Sequence, residues 1–225
     1  MIKEHKIGVE SKNFDITEFG DRLNKDGIAY FPNFINSTLL KKLIKEADEL
    51  LAAHGRRVDV LIPSTDNTPR KYVTVSRESV VKYAPTISDL YKSRSLVSFL
   101  SDLTQSVIVT CPYKPEQIVV NKMDEIDDTH GWHWDDYAYS LVLVLDAPSS
   151  NSGAQVEYID GTSWDKSTAK VNEYLSNNSA RSLQVSTGSA YLLLGKRVMH
   201  RVSPMLGLAL ERSFALLMPQ RMSTT

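Results

Sequence analysis

Much of what this 225-residue chain does not contain narrows its class before any motif is considered. A single cysteine, Cys111, excludes a disulfide framework and any cysteine-based zinc cluster, and reads as a small core residue. No apolar run approaches the roughly 20 residues of a membrane helix. The opening MIKEHKIGVESKNF has neither an apolar signal core nor a cleavage site, so a cytoplasmic protein without a membrane partner is expected. Net charge is −1 with the basic residues scattered, which excludes the electrostatic footprint of a nucleic-acid binder. Repeats, low-complexity tracts and linkers are also missing. Residues 1–225 therefore read as one domain, long enough to bury a sizeable core, with a homodimer left open.

What is present changes character near residue 106. Before it, from about 14 to 105, the pattern is helical: ITEFGDRLNKDG ends at Gly27 as a left-handed cap, and STLLKKLIKEADELLAAHG, capped by Asn36 or Ser37, repeats its leucines at helical spacing up to Gly55. IAYFPNF between them reads as an edge strand broken at Pro32. Residues 56–77 are polar and irregular and read as a binding loop; APTISDLYKSRSLVSFLSDLTQ reads as helix from near Thr86 with a break around Ser93. After it, from about 106 to 220, come eight short β-rich segments: VIVTC, EQIVVNKM, SLVLVLD, AQVEYID, RSLQV, AYLLL, VMHRV and RSFALLM. Helices flanking a double-stranded β-helix, a jelly roll of cupin type in a mainly β, α+β chain, is the expected fold.

Histidine is scarce too, yet two of the five stand in THGWHWDDYAYSLVLVLDAP, residues 129–148. In an extended WHWDD, His133 and Asp135 point to one face, where an imidazole and a carboxylate can reach a common point. His200, in VMHRVSP, is the only later histidine and can supply a third ligand from an adjacent strand. Two histidines and a carboxylate leave three coordination positions open, the arrangement of non-haem Fe(II) oxygenases. Taken alone the His-x-Asp pair is also what a polar strand end would show. Twelve positions on, Arg212 opens LERSFALLMP, where a guanidinium can grip the remote carboxylate of a dicarboxylate cosubstrate, or simply be a surface strand cation.

The order His-x-Asp, distant His, then Arg resembles the 2-oxoglutarate-dependent Fe(II) dioxygenases. DGIAYFPNFINSTLLKKLIKEADEL is similar to the opening segment of phytanoyl-CoA-type dioxygenases, and THGWHWDDYAYSLVLVLDAP to the free-amino-acid halogenases and hydroxylases that act on lysine or ornithine. The resemblance implies Fe(II), 2-oxoglutarate and O₂ as cofactor and cosubstrates, with succinate and CO₂ released as an aliphatic C–H of a small, amino-acid-like substrate is oxidised. In the halogenating relatives a glycine at the triad's acid position leaves room for chloride, so Asp135 implies hydroxylation. It further implies that Glu116, His130 and Asp136 face the substrate, with Arg70 on its carboxylate. Each has a plainer alternative: an exposed strand acid, a turn histidine, a strand cap and a loop cation. Where the amine-binding relatives carry polar residues after the arginine, this chain reads SFALLMP, which favours a substrate less polar than lysine. The tryptophans of WHWDD are expected in the core, and MDEIDD as a solvated loop or a lid. A cupin-like isomerase or lyase, a binding module with an idle metal, and a nucleic-acid dioxygenase are the rival readings.

Overall fold

The computed structural model describes residues 8–168 and 170–207, and residues 211–218 by their backbone. Helix α1 (Ile16–Asp26) starts where the Asp15 carboxylate accepts the N–H groups of Thr17 (2.9 Å) and Glu18 (3.1 Å), and stops at Gly27, whose φ of 72° is left-handed. Strand β1 (Ile28–Phe31) ends just before Pro32. Asn36 caps α2 (Ser37–His54) through the Leu39 N–H, and the helix buries Leu39, Leu43, Ala47 and Leu50. Three shorter helices follow, α3 (Arg77–Tyr83), α4 (Pro85–Tyr91) and α5 (Arg94–Thr104). The break expected around Ser93 is real: its hydroxyl accepts the Leu96 N–H and starts α5. No described helix is long and apolar enough to cross a membrane.

The remaining strands are β2 (Arg56–Ile62), β3 (Thr68–Val75), β4 (Ile118–Met123), β5 (Thr129–His133), β6 (Tyr139–Asp146), β7 (Val156–Ile159), β8 (Arg181–Leu183), β9 (Ala190–Leu194), β10 (Met199–Val202) and β11 (Glu211–Met218), with α6 (Val171–Asn177) between β7 and β8. Antiparallel pairs link them in the order β1-β9-β6-β11-β4-β3-β5-β10-β7-β8, with β2 on β3. Strand β3 carries the path between two layers. Its Val73–Val75 pair with β4 and its Arg70 and Lys71 with β5, along one edge. Alternation along β6 sends Leu141, Leu143 and Leu145 into the core beneath the helices, with Phe31, Leu43 and Leu100, while Val142 and Val144 face Val156 and Tyr158 of the opposite layer. Met123 and Tyr72 likewise meet Val202 and Met205 across the gap. This is the expected jelly roll.

Four local expectations need correction. Residues 56–77 are not an irregular loop but the β2–β3 hairpin, and β2 escapes pattern recognition because it is largely exposed on both faces, so nothing forces its side chains to alternate. Val107–Cys111 forms no extended strand; the Cys111 N–H donates instead to the Tyr91 hydroxyl (2.9 Å). Helices α3 and α6 were not anticipated, and RSLQV is a strand over three residues only. The acidic MDEIDD turn, finally, is not simply solvated. Asp128 is fully buried, accepts the Asp124 and Glu125 N–H groups (both 3.1 Å), and pairs with Arg57 at 2.6 Å.

Candidate metal centre

His133 and His200 stand directly opposite each other on β5 and β10. Two positions along β10, Val202 faces His130, three positions back on β5, so β5 carries one extra residue there. Such a bulge rotates the chain by one side-chain position. Through it His130 and His133 share a face although their spacing is odd, and their rings stack at 4.1 Å and 11°. Gly131 sits in the bulge, where a Cβ would come within 2.6 Å of the Pro69 carbonyl oxygen on β3. The strand stops at His133, earlier than the sequence suggested, yet alternation persists for two more residues. Trp132 and Trp134 pack outward with Ile159, Val171 and Met199, in the core as expected, and Asp135 joins His133 on the inner side. After Asp135 the chain turns, so Tyr139 lies in the helix-side core and not beside His133 and Asp135.

Asp135 Oδ1 is 3.8 Å from His133 Nε2 and Oδ2 is 3.7 Å from His200 Nε2; one donor atom from each of the three lies within 4.8 Å of the others. Both tautomers follow from the backbone. His133 Nδ1 donates to the Gly131 carbonyl (2.8 Å) and His200 Nδ1 to that of Val198 (3.1 Å), since a carbonyl can only accept, and each Nε2 lone pair is therefore free for a cation. Burial, then the neighbouring Arg70 and His200, hold His130 well below the usual imidazole range; burial, then His130, His200 and Arg70, do the same for His133. Neutral imidazoles are what a metal needs. Two nitrogens and one carboxylate with pinned orientations fit Fe(II).

Arg70 and Tyr72 lie on the inner face of β3. Arg70 is 7% exposed; its Nη1 donates to Thr68 Oγ1 (3.1 Å) and the Pro69 carbonyl (3.0 Å), and no carboxylate among the described residues comes within ion-pair distance. Burial lowers its pKa, with Tyr72 and Asp135 opposing. Tyr72, which the sequence reading missed, packs on His130 at 4.9 Å. The signal for it was the alternation of Arg70, Tyr72 and Thr74 in TPRKYVTV.

The other expected site residues are dispersed. Glu116 ends a one-turn helix and lies beside Tyr137, whose phenol is pushed up by burial first and then by Cys111 and Glu116. Asp136 has both oxygens engaged, Oδ1 by Trp164 Nε1 (2.8 Å) and Oδ2 by Lys166 Nζ (2.6 Å), and these donors hold its carboxyl below the usual range against the opposing effect of burial. Arg212 is the second residue of β11, its backbone between Lys122 of β4 and Asp146 of β6; its side chain, and the SFALLM side chains, lie outside the described residues.

A family model described as Halogenase D matches residues 11–213. The chain belongs to that family. Solved structures share its fold at low identity. The α-ketoglutarate-dependent epimerase SnoN of nogalamycin biosynthesis aligns with a TM-score of 0.72 at 12% identity over 91% of this chain and 80% of its own. AviO1 from Streptomyces viridochromogenes Tue57 aligns at 0.68 and 19% over 91% and 95%. A prolyl hydroxylase from Trichoplax adhaerens, in complex with a hypoxia-inducible-factor peptide, aligns at 0.64 and 14% over 93% and 90%. A SnoN complex contains Fe³⁺ and α-ketoglutarate. No curated protein matches in sequence. This halogenase D family member therefore has the jelly roll of the 2-oxoglutarate- and Fe(II)-dependent oxygenases, and its His-Asp-His cluster stands in that fold.

Proposed function

We propose that this protein is an Fe(II)- and 2-oxoglutarate-dependent hydroxylase of a small free amino acid. The observation that carries the reaction type is Asp135, a carboxylate standing between His133 and His200 where a halogenase of the resembling kind needs space for its halide. When bound, iron and 2-oxoglutarate supply oxidising power from O₂, with succinate and CO₂ as co-products. The protein's own share is positioning and exclusion of water. His133, Asp135 and His200 would hold the metal, and Arg212 the remote carboxylate of 2-oxoglutarate.

Arg70 supports the substrate class. A buried guanidinium with donors to spare and no partner carboxylate among the described residues is matched by a ligand's α-carboxylate. Glu116 then takes the α-ammonium and His130 lines the approach to His133. Asp136 is the weaker acid for this purpose, because a substrate ammonium has to displace Lys166 to reach it. With Glu116 as the one of these two acids not already paired with a cation among the described residues, and an apolar SFALLM sequence, a substrate with a single ammonium fits better than a diamine.

The test is anaerobic loading with Fe(II) and 2-oxoglutarate, then air, chloride and a panel of leucine, methionine, lysine, ornithine and arginine, with succinate and product mass as readouts. Leucine or methionine should raise succinate most, and the product should gain one oxygen. A chlorinated main product overturns hydroxylation. Preference for lysine or ornithine overturns the substrate assignment, and no response to any amino acid overturns the class.

A further inference from the structure

Asp135 is the ligand least held by the sheet. Strand β5 ends at His133, and among the described residues the Asp135 backbone is fixed by one bond, from its N–H to the Gly195 carbonyl (3.0 Å). Its neighbours are gripped from outside by residues 162–164. The Trp164 indole stacks on Trp134 (5.1 Å between centroids, 15°), and its Nε1–H donates to Asp136 Oδ1, so one side chain holds the residues on both sides of the ligand. Thr162 does the same across strands. Its buried hydroxyl accepts Trp134 Nε1–H (2.8 Å) and the Met199 N–H (3.0 Å) and donates to the Arg197 carbonyl (2.8 Å). That single oxygen ties the residue before Asp135 to the residue before His200. The segment is anchored in turn, by the Thr162 N–H on Arg197 O (3.0 Å) and the Trp164 N–H on Lys196 O (3.2 Å).

We propose that Thr162 and Trp164 are positioning residues that hold Asp135 and His200 in register before a metal arrives. Neither is placed to touch metal or substrate; they act through residues 134, 136 and 199. The proposal rests on the metal-centre reading above. A ligand that must be ordered on binding takes that ordering out of the affinity, and removing partners behind the ligands typically weakens metal binding by about 10- to 100-fold. Lys166, on the same segment, differs. Its pair with Asp136 is exposed, and such pairs contribute little.

Co(II) is the probe, titrated into the full chain under argon, with dissociation constant and d–d spectrum as readouts and circular dichroism as the check on folding. Trp164→Phe keeps the stack and loses the N–H donor; Thr162→Val keeps the shape and loses the hydroxyl; Thr162→Ser keeps the hydroxyl. The first two should raise the Co(II) dissociation constant by about tenfold or more and alter the d–d bands. Thr162→Ser should restore binding, and Lys166→Met should stay within about twofold of wild type. If Thr162→Val fails to fold because it strands two N–H groups, Trp164→Phe decides. Unchanged affinity and spectrum in folded Trp164→Phe overturn the proposal. Wild-type protein that binds no Co(II) overturns the metal-centre reading instead.

Discussion

Arg70 shows how one residue's surroundings distinguish binding from structure. A guanidinium at 7% exposure without a carboxylate partner among the described residues is costly to the folded chain, and the two bonds from its Nη1 offset only part of that cost. A residue kept for stability would be paired. Arg70→Met should accordingly leave the metal-free protein as stable as wild type or more so, while weakening binding of a carboxylate-bearing amino acid by about 1.5–3 kcal/mol, roughly 10- to 150-fold. Thermal midpoints, together with the substrate's perturbation of the visible Fe(II)–2-oxoglutarate band, measure both. Lost stability with unchanged substrate affinity would make Arg70 a structural cation.

At the scale of the element, the decisive feature is the bulge in β5. In a regular strand the odd spacing of His130 and His133 would put their imidazoles on opposite faces, and the bulge brings them to one. Gly131 makes the bulge compatible with β3, because the Pro69 carbonyl lies where its side chain would be. Gly131→Ala should therefore cost about 1–3 kcal/mol in urea denaturation, and should also weaken metal binding, since the only ways to relieve the contact are to move β3 or to flatten the bulge. A variant as stable as wild type with unaltered Co(II) affinity would show that the bulge does not depend on glycine.

Across the whole molecule, two layers joined through β3 bring together three imidazoles, His200 buried and His130 and His133 half-buried, and this makes stability depend on pH. His130 and His133 are held well below their ordinary pKa of about 6.5. Below that pH the unfolded chain takes up protons that the folded chain refuses, so the metal-free protein loses stability as pH falls from 7 towards 5, by up to about 1.4 kcal/mol per pH unit for each histidine. Urea denaturation at pH 7 and pH 5.5 checks the sign. Carboxylates shift stability in the same direction, so His130→Gln is the control: it should lessen the slope, and an unchanged slope would remove His130 from the account.

The chain's local chemistry was sufficient for a good part of this protein. Asn36, Gly27 and Ser93 set helix ends through their own side chains or backbone, and the alternation around WHWDD put both tryptophans outward and both His133 and Asp135 inward, because such signals act over a few residues. Histidine scarcity pointed to His133, Asp135 and His200. The β2–β3 hairpin was hidden by its exposure, and the burial of Asp128 depends on Arg57, some seventy residues away. Only the tertiary structure decided that β5 bulges at Gly131, that Arg70 is buried beside His130 with no carboxylate at ion-pair distance among the described residues, and that Asp136 is taken by Trp164 and Lys166. Each of these is a contact between segments distant in the chain, which residue spacing cannot encode because it depends on which strand lies beside which.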